Sequence, residues 1–175
     1  MRVNAGPLPD DHWLHDPEDG GVRLLGEGCH FVDLLATLAD SSAISAHAAA
    51  LPQPGRPIEC SDSFTAHVRF GRGVGTLVYS GSGDARMPKE RLEVFGGGMS
   101  AALDDFRSLA IFRGGKRRTW KSSQDKGHRA QIERFVRAAR GEAEAPSVQS
   151  YLDSTRITLS LAESLRTGVP LDLDR

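Results

Sequence analysis

Eight consecutive residues, Ser63-Phe64-Thr65-Ala66-His67-Val68-Arg69-Phe70, alternate polar with apolar. Side chains point to opposite faces of a strand with a period of two, so the run predicts a strand with one wet and one dry side. Shorter apolar segments at 2–5, 44–51, 74–80, 91–95, 99–103, 109–113 and 118–121 predict further strands. Brief glycine-bearing links, Gly71-Arg72-Gly73, Gly96-Gly97-Gly98 and Gly114-Gly115, separate several of them. Links that short join antiparallel neighbours, because a parallel pair needs a crossover of about a dozen residues or more.

Elsewhere the period lengthens. Over 23–39 the residues Leu24, Leu25, Phe31, Val32, Leu34, Leu35 and Leu38 recur at three- and four-residue spacing, and Asp40-Ser41-Ser42 ends the run. A mostly buried helix is expected, with Glu27, His30, Asp33, Thr37 and Asp40 along one polar flank. A second helix follows Gly127, with Ile132, Phe135, Val136 and Ala139 on one face and Gly141 as its stop. A third, capped by Ser147, carries Val148, Tyr151, Leu152, Leu159, Ala162 and Leu165 as its apolar positions and closes at Gly168 and Pro170. One helix, a run of strands and two helices predict an α+β fold: an open, largely antiparallel sheet with helices on one face, the other face being available for oligomerisation. Its 175 residues fit one domain spanning 1–175.

Charge and composition narrow the classes. With 22 Lys+Arg against 23 Asp+Glu, the chain lacks the basic excess that nucleic acid or an anionic membrane surface selects. The cluster Lys116-Arg117-Arg118 with Trp120 and Lys121 reads as a solvated hairpin. Two cysteines, Cys29 and Cys60, do not make a disulfide framework, and no apolar run approaches the roughly 18 residues of a membrane span. Pro7, Pro9, Asp10 and Asp11 occupy the place of an apolar leader. These features lead us to expect a cytoplasmic protein.

Candidate chemistry is sparse. The glycine-rich stretches lack G-x-G-x-x-G spacing and join strands, so they offer no helix N-terminus to a pyrophosphate. His12-x-x-His15-Asp16 with Cys29-His30 supplies donors zinc accepts, yet no C-x-x-C pair accompanies them, and no metal site is assigned. Glu27 and His30 stand three residues apart, and a carboxylate beside an imidazole favours the charged ring and fixes its orientation, as a proton-transfer residue requires. On spacing alone, the wet flank of an amphipathic helix explains the same two residues more simply.

The order and spacing of several segments resemble the C-terminal domain of the Gfo/Idh/MocA oxidoreductases, the glucose-fructose oxidoreductase and inositol dehydrogenase relatives. The matching pieces are Asp16-Pro17-Glu18, Gly20-Gly21, Gly28-Cys29-His30-Phe31-Val32-Asp33-Leu34, Leu92-Glu93-Val94-Phe95-Gly96, Lys126-Gly127-His128 and Ser164-Leu165-Arg166-Thr167-Gly168. The resemblance implies an NAD(P)-dependent oxidoreductase for a sugar, polyol or similar hydroxylated substrate, with NAD or NADP held mainly by a Rossmann domain that this chain does not contain and that would act in cis or trans. It implies a homo-oligomer built through the open sheet, and that these 175 residues alone are inactive. It makes His30 the proton-handling histidine, with Glu27 orienting it and Asn4, His12, Trp13 and Asp16 contacting substrate. Many relatives have aspartate four residues before the histidine; here that position is Gly26, with Glu27 one step on. One residue along a helix turns a side chain by about 100°. The alternative is a non-catalytic, sheet-mediated assembly module.

Overall fold

A computed structural model describes residues 1–9, 11–15 and 22–174. The chain divides into two compact units, one of 1–89 with 151–175 and one of 90–150.

The first unit contains β1 (Arg2–Asn4), β2 (Ala43–Ala50), β3 (Phe64–Phe70), β4 (Gly73–Ser80) and β9 (Leu171–Asp172). Its helices are α1 (Cys29–Ala39), entered through a π-helical segment at Leu24–Gly28, and α3 (Val148–Thr167), whose first residues precede the unit boundary. The strands β9, β2, β3 and β4 pair antiparallel, and β1 runs parallel to β4 with Arg2 opposite Val78. Alternation decides which face is dry: Ala46 and Ala48, Phe64, Ala66, Val68 and Phe70, and Leu77 and Tyr79 all point inward. They form one buried cluster with Leu24, Phe31, Val32 and Leu35 and with Ile157, Leu161 and Leu165 of α3. At Gly75 a Cβ would lie 3.2 Å from both Leu35 and Phe70, so glycine lets α1 approach β4 closely.

Predicted elements agree with β1 to β4 to within a few residues, whereas β9 lies outside every predicted strand and the apolar positions read on α3 are not its buried side. Its buried side is Ser154, Ile157, Thr158, Leu161, Ser164 and Leu165, whereas Leu152 and Leu159, two of the apolar positions read from sequence, are exposed. Local hydrogen bonds make the polar members of this face compatible with burial. The Ser164 hydroxyl accepts from Ala48 N at 3.1 Å and donates to Val169 O at 2.7 Å, Thr158 donates to Ser154 O, and Ser154 donates to Asp33 of α1 at 2.8 Å.

The second unit is an antiparallel meander of β5 (Glu90–Gly96), β6 (Met99–Asp104), β7 (Ser108–Arg113) and β8 (Lys116–Lys121), with α2 (His128–Ala139). Two of its hairpins turn on glycine pairs whose φ angles are all positive, 57° and 71° at Gly97-Gly98 and 56° and 69° at Gly114-Gly115. This is the turn whose twist matches that of the flanking strands, and it requires left-handed backbone at both central residues. All six residues of β8 are exposed, so the basic cluster is a solvated strand. Ile132, Phe135 and Val136 of α2 are exposed as well. No helix among the described residues is long and apolar enough to cross a membrane.

Candidate functional site

The most elaborate polar structure in the first unit surrounds the entry to α1. Val22, at φ 60°, leads into it, a left-handed conformation that costs a β-branched residue about 1–3 kcal/mol. Arg23 follows with 2% exposure, and a buried guanidinium persists only when its donors are matched. Its Nε lies 3.3 Å from Asp62 Oδ1, one terminal nitrogen donates to Gly6 O at 2.9 Å, and the other to Tyr79 Oη at 3.1 Å. The Tyr79 hydroxyl in turn donates to Glu27 Oε2. Lys89 Nζ and the Arg23 guanidinium each stand 3.8 Å from that same carboxylate oxygen.

The chain of contacts continues from Asp62. His15 Nε2 is 3.1 Å from Asp62 Oδ2, and an Arg56 nitrogen is 3.3 Å from His15 Nδ1. Arginine can only donate, so Nδ1 accepts and Nε2 carries the proton given to Asp62. Arg56 also reaches Asp62 directly at 3.5 Å. Two carboxylates, Glu27 and Asp62, are thereby interleaved with Arg23, Arg56 and Lys89.

Tyr79 is the joint of this network. Its ring stacks on Phe64 at 4.9 Å and tilts against Phe31 at 6.1 Å, while its hydroxyl bridges Arg23 and Glu27. Burial above all, and then the bond to Glu27, push its pKa well above the usual phenol value, against the pull of Arg23. The folded state therefore holds the proton more tightly than the unfolded chain does. Stability from this group is present in full below about pH 10 and is lost as pH rises beyond it toward the folded pKa. Tyr79→Phe is expected to lose this part of the alkaline decline of stability, measured as urea midpoints from pH 8 to 11; equal slopes in both proteins would refute it.

Of the residues singled out from sequence, Glu27 and His30 lie on consecutive turns, but among the described residues no hydrogen bond or ion pair joins them. Glu27 is 33% exposed and held by Tyr79; His30 is exposed on the first turn of α1. The π-helical segment explains part of the spacing: bonding from i to i+5 accommodates an extra residue and changes the phase by which Glu27 leads into α1. Gly28 fits the tight side, where a Cβ would come within 2.9 Å of Leu24 and 3.5 Å of Phe64.

His12 and Trp13 form a compact turn over Trp13–His15, rings 5.7 Å apart, with His12 Nδ1 accepting from Leu14 N at 3.2 Å. Trp13 is 61% exposed. Asn4 is buried and engaged elsewhere: its amide nitrogen donates to Asp84 O at 2.8 Å and Met87 O at 3.2 Å, and its backbone donates to Lys89 O. Its geometry is that of a clamp on the loop carrying Lys89. Gly83 completes the clamp, since a Cβ there would fall 1.9 Å from Asn4 Oδ1. Asp16 lies outside the described residues.

Arg23, Asp62, Tyr79 and Lys89 were not singled out from sequence. The available signals were an arginine inside an apolar helical run and a tyrosine on the dry alternation of β4; that Asp62 and Lys89 join them depends on tertiary folding. Among the described residues no three His, Cys, Asp or Glu side chains converge as a metal site would require. Burial, and next the charge of Glu59, raise the Cys60 pKa against the pull of Arg56, which keeps its thiol protonated at neutral pH. The glycine-rich stretches of the described residues are hairpin turns and do not fit a dinucleotide.

Residues 1–101 match the family described as GFO/IDH/MocA C-terminal domain. No curated protein sequence matches the chain. Among solved structures, UDP-N-acetylglucosamine 3-dehydrogenase GnnA from Acidithiobacillus ferrooxidans superposes with a TM-score of 0.76 at 18% identity, covering 95% of this chain and 52% of that one. An NAD-binding protein from Listeria innocua gives 0.73 at 20% identity, covering 98% and 53%. The WlbA dehydrogenase from Bordetella pertussis, solved with NADH and UDP-GlcNAcA, gives 0.63 at 21% identity, covering 99% and 54%. The chain spans about half the length of these structures.

Proposed function

The chain belongs to the GFO/IDH/MocA C-terminal domain family, and on that premise we propose that it is the substrate-side domain of an NAD(P)-dependent oxidoreductase acting on a sugar, polyol or similar hydroxylated molecule. NAD or NADP is held mainly by a Rossmann domain supplied in cis or in trans. The observation that carries the reading is a half-exposed carboxylate, Glu27, fixed from beneath by Tyr79 and Arg23 and one turn from an exposed imidazole, His30.

In this reading His30 takes or returns the proton of the substrate hydroxyl, since an imidazole changes charge near neutral pH. Glu27 does not orient His30 through a direct bond; held by Tyr79, it offers a fixed carboxylate one turn from the imidazole. The network beneath prevents that carboxylate from turning away, and such preorganisation separates a catalytic constellation from a solvated helix flank. His12 and Trp13 supply an exposed aromatic edge for a sugar face. Asp16 stays in this proposal as a substrate contact on its position beside them in sequence, and Asn4 serves it by holding the Lys89 loop.

The test uses the 175-residue protein. Titration with a UDP-sugar or myo-inositol should move the Trp13 emission and the His30 imidazole resonances. NADH should give no saturable heat, and no turnover should follow. Tight NADH binding with unaided turnover would overturn the division of roles. Ligand-induced shifts that leave Trp13 and His30 unmoved would overturn the site.

Assembly through the sheet is a second reading, favoured by the outward face of β4, where Val74 and Val78 are exposed on a side no helix of the first unit covers. Light scattering should give at least a dimer, reduced by Val74→Lys with Val78→Lys; a monomer at millimolar concentration would contradict it.

A further inference from the structure

The contacts that hold Glu27 all fall on one of its two carboxylate oxygens. Tyr79 donates to Oε2, and the Arg23 guanidinium and Lys89 Nζ each stand 3.8 Å from that same atom. Among the described residues no hydrogen bond engages Oε1, so one oxygen of this part-exposed acid is left for a ligand.

Lys89 differs from the two arginines of the network. Arg23 is buried with its donors matched by Asp62, Gly6 and Tyr79, and Arg56 is turned to Asp62 and His15. The Lys89 side chain is 41% exposed, and at 3.8 Å it forms an ion pair with Glu27 that is too long for a hydrogen bond. An ammonium carries three donors, and among the described residues none of those of Lys89 is taken up. Its backbone, by contrast, is fixed: Lys89 O accepts from Asn4 N at 2.7 Å, Pro88 O accepts from Arg2, and the Asn4 amide holds Asp84 O and Met87 O. Arg23, Arg56 and Lys89 face only Glu27 and Asp62, which leaves the described group with one positive charge in excess, and Lys89 is the cation that meets solvent.

We propose, on the substrate-side reading of this site given above, that Lys89 selects an anionic sugar: a hydroxylated molecule whose carboxylate or phosphate group takes donors from Lys89 Nζ while Glu27 Oε1 accepts from one of its hydroxyls. An incoming anion is repelled by Glu27 and attracted by Lys89 and Arg23, and the surplus charge decides the balance in its favour. A neutral sugar gains nothing from that surplus. Lysine acts as a point charge on a flexible stem, so it accepts either kind of anion.

Nuclear magnetic resonance titration of the 175-residue protein, read at Trp13 and His30, compares D-glucose with D-glucuronate and D-glucose 6-phosphate. The expected result is that at least one of the two anions binds about three- to tenfold more tightly than D-glucose at low ionic strength. The tighter of the two identifies carboxylate or phosphate as the recognised group. Lys89→Met, which keeps most of the aliphatic stem, should bring both anions to the affinity of D-glucose and leave D-glucose unchanged. Lys89→Arg should retain the preference, as should Lys121→Met on the exposed strand β8. Unchanged circular dichroism establishes that the variants fold. Equal affinity for all three sugars, or a preference that survives Lys89→Met, would overturn the role of Lys89 and leave the substrate-side reading standing. Trp13 and His30 signals unmoved by any of the three would overturn both.

Discussion

Replacing Arg23 by methionine is expected to destabilise the protein by about 3–5 kcal/mol, the cost of removing one member of a buried charged network. Methionine restores much of the aliphatic stem, so the loss reports on the guanidinium. Three acceptors lose donors at once: Asp62 Oδ1, Gly6 O and Tyr79 Oη. Asp62 retains Arg56 and His15, which moderates the effect. Urea denaturation of Arg23→Met, Asp62→Asn and the double variant measures the coupling directly, expected at about 0.5–3 kcal/mol for groups in contact. A single-variant loss below about 1 kcal/mol would show that the guanidinium is not integral to the fold.

Leu161→Ala is expected to cost about 2–5 kcal/mol, whereas Leu159→Ala should change stability by no more than about 0.5 kcal/mol. The two leucines are two residues apart on α3, yet Leu161 is fully enclosed in the core and Leu159 is 55% exposed. Their comparison fixes the rotational phase of the helix. If Leu159 proved the costlier truncation, the buried face described above would be wrong, and the Ser164 bridge between α3 and β2 with it.

That phase also marks where sequence reasoning stops. The alternation of β3 and the glycine hairpins were legible because their signals are local: period two, and a turn that only glycine adopts without strain. The inner face of α3 was not, because it mixes Ile157, Leu161 and Leu165 with Ser154, Thr158 and Ser164. Ser154 and Ser164 have partners inside, Asp33 and Ala48, that the sequence does not place beside them. The π-helical entry to α1 left no trace either, since Leu24 and Phe31 suit either helical geometry.

The site divides along the same line. His30, Glu27, His12 and Trp13 are candidates by residue type and family resemblance. The supporting residues are not, as Arg23 and Asp62 are 39 positions apart, and Glu27 and Tyr79 are 52. Asn4 shows the converse: a polar residue at a promising position proved to fasten a loop.

One aromatic ring answers to two masters. Tyr79 lies flat on Phe64 within the hydrophobic interior, and its oxygen anchors the acid that faces outward. Heating or mutation that loosens the interior must release the Glu27 carboxylate at the same moment, whereas change around the exposed Trp13 leaves that anchor in place.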